Sequence, residues 1–314
     1  MKWVTYESGG EQRAGLVVQD EVMGLDAGVS VLSLVQAGRD ALDAAGDAVR
    51  RRPAEVRALA DVRIVAPIPR PPSVRDSLCF LDHLRGCYRA MGRDDELHPA
   101  WSQVPAFYFG NAGGVVGPYD DVPIAPGSRM FDLELEVGLV IGEGGRDLDP
   151  ADAESHIIGY TLFNDWTARD HQLRDLALGI GMGKSKDNAT TLGPALVTAD
   201  ELEPFRRDGR LALELGASVN GEVLTRGSLA ETDWTLGELV AFISRGVDLS
   251  PGEVIGSGTV PGGCLLEHVD TPDLDQFEGW LAPGDVVRLW GEGLGETVQT
   301  VSKGLAVHPL SSGF

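Results

Sequence analysis

Residues 131–142, FDLELEVGLVIG, alternate acidic and apolar side chains and then become wholly apolar. Because successive side chains of a β-strand point to opposite faces, Asp132, Glu134 and Glu136 would lie on one face and the intervening leucines on the other. Such alternation is typical of a strand with one face in water. These twelve residues alone therefore favour a half-exposed strand, and the rest of the sequence has to explain why the carboxylates are stacked.

Composition limits the kinds of partner that the chain can have. Its 41 glycines and 18 prolines in 314 residues predict many turns between short elements, as in a β-rich globular protein. The formal net charge of −22 disfavours nucleic acid and anionic membrane surfaces, since both require clustered lysine and arginine. The same charge suits a cation.

A proline-rich connector, VAPIPRPPSVRD at residues 65–76, divides the chain. We expect a small N-terminal α+β domain over residues 1–65 and a larger catalytic domain over residues 66–314. In the larger domain, short strands alternate with turns such as Asn220-Gly221, and TLGELVAFISRG at residues 235–246 predicts a helix that ends at Gly246.

The expected compartment is the cytoplasm. No apolar run approaches the roughly 20 residues that cross a bilayer, and the first ten residues, MKWVTYESGG, lack the apolar core of a signal peptide. Cys79, Cys87 and Cys264 form neither an even disulfide set nor a zinc-binding spacing, which predicts reduced thiols.

Two further acids complete a possible ligand set with Glu134 and Glu136. Asp165 ends an apolar run in LFNDWTARDHQ, and Asp76 follows the proline connector. Four carboxylates brought together without a cation would repel one another and force some to take up protons. Oxygen-only ligands favour a hard divalent ion, so the expected cofactor is Mg²⁺, with Ca²⁺ or Mn²⁺ as alternatives.

Five sequence motifs, taken in their order along the chain, resemble those of a known family. FDLELEVGLVIG is followed by GYTLFNDWTARDHQ, GMGKS, NGEV and GEVIGSGTVPGGCLLE, and this order resembles the fumarylacetoacetate hydrolase family from about Arg75 to Lys303. The resemblance implies a mostly β, α+β fold, with a catalytic β-sandwich or β-roll beside a small N-terminal domain. It also implies a homodimer. The metal ligands that it implies are Asp76, Glu134, Glu136 and Asp165, with Asp132 in a supporting or structural role.

The resemblance further implies a general base. His83 lies seven residues after Asp76, and the family pairs this histidine with a glutamate that orients the imidazole so that it can activate water. One branch carries the glutamate three residues after the histidine, where this chain has Gly86. The branch of true fumarylacetoacetases takes it from a later segment that matches Glu267. The chain therefore resembles that branch more than the acylpyruvase branch, and we expect a direct or single-water contact between His83 and Glu267.

Other positions match residues that the family uses around its substrate. Lys184 in GKSKDN matches the lysine that holds a substrate oxygen, where an ammonium would stabilise developing negative charge. The resemblance also implies substrate contacts at three residues: Tyr108, Gln172 and Thr259.

The activity implied is metal-dependent hydrolysis of a carbon-carbon bond in a fumarylacetoacetate-like or acylpyruvate-like 1,3-dicarbonyl acid. Decarboxylation, isomerisation or dehydration of a 2-keto acid at the same site remains the alternative. Two positions depart from the true hydrolases, Gly92 and Leu176. An arginine for the substrate carboxylate has three candidates, Arg85, Arg89 and Arg93.

A catalytically silent binding protein, or a structural β protein with a solvated acidic face, is the other class to consider. A silent protein would need neither a base nor a lysine. Retention of both therefore favours an enzyme.

Overall fold

The structure is a computed structural model that describes residues 1–93, 98–271 and 273–310. The described residues form a mostly β molecule with six α-helices, in agreement with the expected fold class. The helices are α1 (Val31–Gln36), α2 (Arg39–Arg51), α3 (Leu81–Ala90), α4 (Arg169–Leu178), α5 (Ala199–Leu202) and α6 (Leu236–Ile243).

A large, mainly antiparallel sheet passes through the centre of the molecule, and most of its strands lie along one path. In sheet order these are β4 (Glu55–Ala58), β3 (Glu21–Gly24), β2 (Glu11–Val18), β1 (Lys2–Ser8), β15 (Leu196–Thr198), β12 (Ile157–Asp165), β11 (Leu135–Ile141), β20 (Val254–Gly256), β6 (Val74–Ser77) and β7 (Phe107–Gly110). Three more join from the side: β5 (Arg63–Val65), β8 (Val115–Val116) and β14 (Thr190–Leu192).

A second sheet contains five strands, and two short pairs complete the β-structure. The second sheet orders β19 (Glu222–Ser228), β18 (Glu214–Val219), β21 (Val286–Gly291), β22 (Gly295–Ser302) and β9 (Val122–Pro123). The pairs are β10 (Phe131–Asp132) with β13 (Thr167–Ala168), and β16 (Arg206–Arg207) with β17 (Arg210–Leu211).

Local sequence signals explain two of these elements. Asn220 and Gly221 connect β18 to β19 with φ values of 52° and 85°, the left-handed backbone that a two-residue hairpin needs. Helix α6 begins after Thr235, whose side chain accepts the N–H of Glu238 in a capping box. The predicted helix is present but ends at Ile243, before the predicted end at Gly246, which lies in the turn that follows with φ 70°.

The opening stretch differs from the half-exposed strand that its alternation favours. Every residue of β11 is buried, because β12 and β20 flank it within the sheet and side chains cover both faces. Asp132, Glu134 and Glu136 are all buried in the protein interior, where an ionised carboxylate requires compensation.

The predicted domain boundary near residue 65 stays a prediction. Strand β1 pairs with β15 through Lys2 to Val197 and Trp3 to Leu196, so the N-terminal strands and the later strands share one sheet. No described helix is both long enough and apolar enough to cross a membrane.

Candidate metal and acid-base site

Three buried carboxylates converge where β6, β11 and the chain before β11 meet. One oxygen from each of Asp76, Glu134 and Glu136 lies within 4.8 Å of the other two. Asp76 is on β6, Glu136 is on β11, and Glu134 lies just before β11. Gly256 allows this approach, since a Cβ there would lie 2.1 Å from Asp76 Oδ1 and 2.7 Å from Glu136 Oε2.

Asp165 joins the group through shared partners. The Tyr108 hydroxyl donates to Asp76 Oδ2 at 2.6 Å and also to Asp165 Oδ2. The Lys186 ammonium lies 2.6 Å from Asp165 Oδ2 and 2.5 Å from Glu134 Oε2. Thus all four predicted ligands lie in one buried network.

The pKa values of these acids show that the network lacks positive charge. Burial raises the pKa of Glu134, but Lys186 and Arg169 outweigh that effect and hold it at about 2. Burial and the neighbouring Asp76 raise the pKa of Glu136 well above its usual range. Burial also raises the pKa of Asp165 to about 7, although Lys186 lowers it. The two cations thus do not compensate all four acids.

The donor set fits a hard divalent cation. All four candidate ligands offer carboxylate oxygen, and these acids are buried among like charges that an ion would neutralise. Thr259 Oγ1 and the N–H of Gly258 donate to the two oxygens of Glu136 at 3.1 and 3.0 Å, which fixes the orientation of that carboxylate.

A histidine–glutamate pair lies beside the carboxylates, and its histidine, His83, lines the same cavity as Asp76 and Glu134. His83 Nδ1 is 2.6 Å from Glu267 Oε1, and both side chains are buried, so the expected direct contact is present. His83 comes from helix α3, whereas Glu267 comes from a 3₁₀ turn at Leu265–His268. A Cβ at Gly86 would lie 2.5 Å from Glu267 Oε2, so glycine leaves the space that this carboxylate occupies. Burial lowers the pKa of His83, but Cys264 and Glu267 outweigh it and raise the pKa to about 10.

The structure does not bring Lys184 into the site, and here the sequence prediction requires correction. Two-thirds of the Lys184 side chain is exposed, at 67%, and its ammonium pairs with Asp187 at 3.0 Å. Lys186 is 3% exposed and contacts the carboxylates instead. The turn around Ser185 explains the difference. Asp175 Oδ2 accepts hydrogen bonds from the N–H of Gly183 and from the N–H and hydroxyl of Ser185. These bonds hold the turn so that the Lys186 side chain lies inside the protein.

The other predicted substrate contacts line the cavity. Tyr108, Gln172 and Thr259 lie on its wall together with His83 and Lys186. The remaining wall is largely apolar and contains Leu84, Met91, Trp101, Leu173, Leu176 and Met182. Among the described lining residues the arginine is Arg169 and the lysine is Lys186, and both already contact carboxylates.

None of the three arginines proposed for a substrate carboxylate is among the described residues that line this cavity. Arg85 pairs with Asp82 at 2.7 Å, and Arg93 stacks over the ring of Tyr88 at 5.2 Å. Arg89 borders a separate surface cleft beside Gly86. Leu176, one of the two positions that depart from the true hydrolases, contributes apolar surface to the cavity.

Two functional residues were missed from sequence alone. Arg169 is buried and donates to Asp132 at 2.8 Å and to Glu134 at 2.7 Å. The sequence could have indicated Arg169, because it lies four residues after Asp165 within LFNDWTARDHQ. Lys186 had no comparable signal, since both lysines of GKSKDN lie in one irregular turn.

Comparisons with known proteins give the following relatives. A family model described as fumarylacetoacetate (FAA) hydrolase C-terminal matches residues 73–302. Human mitochondrial oxaloacetate tautomerase FAHD2A is 33% identical over 207 residues, which cover 64% of this chain and 60% of that protein. The Arabidopsis thaliana fumarylacetoacetase is 30% identical over 241 residues, which cover 61% of this chain and 57% of that protein.

The chain therefore spans about 60% of the length of these curated relatives. Among solved structures, fumarylacetoacetate hydrolase from Exiguobacterium antarcticum matches with a TM-score of 0.74 and 28% identity, over 96% of this chain and 99% of that one.

Proposed function

The chain belongs to the fumarylacetoacetate hydrolase family of enzymes, and we propose that it hydrolyses a carbon-carbon bond in an acylpyruvate-like 1,3-dicarbonyl acid. The observation that carries this proposal is the 2.6 Å contact between His83 Nδ1 and Glu267 Oε1, because His83 lines the cavity that Asp76 and Glu134 also line. A base beside a cation site is what hydrolysis needs, because water must lose a proton next to a polarised carbonyl.

In this proposal Asp76, Glu134, Glu136 and Asp165 hold one divalent cation, Mg²⁺ or Mn²⁺. When bound, the cation supplies Lewis acidity toward the keto oxygens of the substrate. His83 has to be neutral to act as the base, and positive charge held by the carboxylates would favour its neutral form.

The proposed proton transfer belongs to His83. In the proposed tautomer the Nδ1–H of His83 donates a hydrogen bond to Glu267, which leaves Nε2 as the ring atom that takes a proton from water. Lys186 replaces Lys184 as the ammonium that stabilises negative charge on the departing fragment. Thr259 and Gln172 line the same space and would position the substrate.

The apolar wall supports a narrower substrate class. Leu173, Leu176, Met91 and Trp101 suit an alkyl or aromatic acyl group better than a second carboxylate. A charged fumaryl end would lie against these apolar side chains, and the described arginine and lysine of the cavity, Arg169 and Lys186, already contact carboxylates. Assignment to the true fumarylacetoacetase branch stays a prediction.

Tautomerisation of an oxaloacetate-like acid is the second candidate, since the human relative at 33% identity is named an oxaloacetate tautomerase. The same histidine–glutamate pair can move a proton between carbon and oxygen. The two reactions differ in their products, because hydrolysis yields two acids whereas tautomerisation conserves the mass of the substrate.

The test is turnover of acylpyruvates with graded acyl groups, and of enol-oxaloacetate, by the Mg²⁺-loaded chain with products identified by mass spectrometry. Two acids per acylpyruvate, loss of the reaction with EDTA, and a loss of roughly 100-fold in a Glu267→Gln variant are expected. Unchanged acylpyruvate alongside rapid ketonisation of oxaloacetate would replace hydrolysis with the second candidate. No turnover of either substrate would contradict both.

A further inference from the structure

A second cluster of potential ligands lies beside the acid-base pair and differs from the carboxylates in chemistry. His83, Cys87 and Cys264 each offer one atom within 4.8 Å of the other two, and all three side chains are buried. His83 and Cys87 are one helical turn apart on α3, and Cys264 immediately precedes the 3₁₀ turn that carries Glu267. The proposed reaction uses neither thiol.

We infer that this cluster is a soft-metal site, with Cys87 Sγ, Cys264 Sγ and His83 Nε2 as the protein ligands of one Zn²⁺. Two thiolates and an imidazole form a ligand set that thiophilic ions prefer, whereas Mg²⁺ prefers oxygen. This site is therefore chemically distinct from the carboxylate cluster even though both border one cavity.

The distances bring the sulfur and the imidazole within the span of one ion. Zn–S bonds of about 2.3 Å and Zn–N bonds of about 2.0 Å at a tetrahedral angle separate sulfur from nitrogen by about 3.5 Å. Cys87 Sγ lies 3.7 Å from His83 Nε2 and 3.9 Å from Nδ1, so a rotation of the side chains would direct the Nε2 lone pair and the sulfur at a common ion.

Glu267 is placed to hold the imidazole of His83 without binding the metal itself. Its Oε1 lies 2.6 Å from His83 Nδ1 and 3.6 Å from Cys264 Sγ. A carboxylate on one imidazole nitrogen fixes the ring so that the other nitrogen can bind metal, the usual support of a zinc-bound histidine. Three protein ligands leave a fourth position for water or another small ligand.

Charge and access are also consistent with Zn²⁺. Two thiolates cancel the charge of the ion, which suits a site packed against apolar side chains such as Leu266, Met91 and Trp280. Cys87 and His83 line the cavity, which provides an entry path.

One consequence rests on the proposed function. Zn²⁺ would occupy His83 Nε2, the atom that the proposed hydrolysis needs, so the zinc-loaded chain would lose turnover. The binding claim itself does not depend on that reaction, and a failure of either can be recognised separately by measuring binding without substrate.

The experiment titrates Co²⁺ into the reduced full chain in excess Mg²⁺, which occupies the oxygen site. A thiolate-to-cobalt charge-transfer band that saturates at one equivalent and disappears when Zn²⁺ is added is expected. Cys87→Ala and Cys264→Ala should lose the band. Cys79→Ala should retain it, because Cys79 is an equally buried free thiol outside the cluster.

No band in the wild-type chain, or a band that persists in either ligand variant, would overturn the site. Zinc K-edge X-ray absorption of the wild-type chain gives a second measurement that does not depend on the folding of any variant. Two sulfur ligands are expected, and a shell of oxygen and nitrogen alone would overturn the inference. If peroxide forms a Cys87–Cys264 disulfide and the chain gives no metal band, a disulfide would replace the zinc site as the role of these thiols.

Discussion

At the scale of single residues, two lysines two positions apart have opposite environments. Lys184 extends into solvent beside Asp187, and Lys186 is buried between Glu134 and Asp165. An ammonium in a buried network acts on nearby charge far more strongly than one in water, because the local dielectric is lower. The burial of Lys186, and not its order in the sequence, is the reason to assign it the catalytic role.

Replacing Lys186 by Met should lower kcat by about 100-fold or more, the usual cost of losing one group that stabilises transition-state charge. Lys184→Met is the matched control and should retain wild-type turnover. Steady-state kinetics on the best acylpyruvate, with circular dichroism to check folding, makes the measurement. A lower kcat for Lys184→Met, with normal turnover for Lys186→Met, would reverse the assignment.

The resemblance to the family, and not the alternation, predicted the acids and the histidine–glutamate pair. Alternation correctly grouped Glu134 with Glu136 on one face of a strand, but it favoured a face in water, whereas both side chains are buried. The lysine lies in a turn, where no period applies. Its direction depends on Asp175, eight and ten residues before the Gly183 and Ser185 groups that it binds, and such contacts have no pattern in the sequence.

At the scale of elements, Asp132 explains the acid of the opening stretch that lies outside the carboxylate cluster. Its Oδ1 accepts the N–H of Leu265 at 2.7 Å, and its Oδ2 accepts the N–H of Leu266 at 3.1 Å and Nε of Arg169 at 2.8 Å. One fully buried carboxylate therefore connects β10, helix α4 and the 3₁₀ turn that carries Glu267. Asp132 is a positioning residue for the acid-base pair.

An Asp132→Asn variant should lose about 3 kcal/mol of unfolding free energy, because an amide nitrogen would face two donors and Arg169 would lose a buried partner. Its kcat should fall as Glu267 loses its support, with a smaller change in KM. Urea unfolding and steady-state kinetics measure the two effects.

The neighbouring variant Asp170→Asn provides the control. Asp170 accepts from Ser128 and from the N–H of Arg129, away from the turn. It should cost stability without a selective loss of kcat. An equal fall in kcat for both variants would mean that general destabilisation, and not the position of Glu267, limits turnover.

Element existence was predictable here, whereas strand order was not. The Asn220-Gly221 hairpin and helix α6 follow from turn and capping residues that are close in sequence. Pairing of Lys2 with Val197 joins residues from distant parts of the chain, and no local pattern specifies it. The full burial of β11 has the same cause, because both neighbouring strands come from later in the chain.

At the scale of the whole molecule, the homodimer implied by the family resemblance remains a prediction. Apolar side chains on α4 and just after it are exposed, including Leu178 at 70% and Ile180 at 79%. Light scattering across a dilution series should give twice the 33.4 kDa mass of one chain. A stable single-chain mass at all concentrations would reject the dimer.

From the net charge of −22 and the buried carboxylates we predict that stability depends on cations. Screening of surface acids by salt is general, whereas a cation held by Asp76, Glu134, Glu136 and Asp165 requires the folded chain. An ion that binds only the folded state raises unfolding free energy by about 2.7 kcal/mol when its concentration is about a hundred times its Kd. Mg²⁺ should therefore stabilise the chain beyond the effect of matched ionic strength, and EDTA should remove that increment.

A Glu136→Gln variant separates the site from the surface. It replaces one buried ligand by a neutral group of the same shape, so the Mg²⁺ increment should fall toward the general salt effect. Glu143→Gln removes the same charge at an exposed position just after β11 and should keep the full increment. Chemical denaturation of both variants, with Mg²⁺ and with sodium chloride at equal ionic strength, gives the two increments. Equal increments would assign the stabilisation to surface screening and remove the buried carboxylates as the cation site.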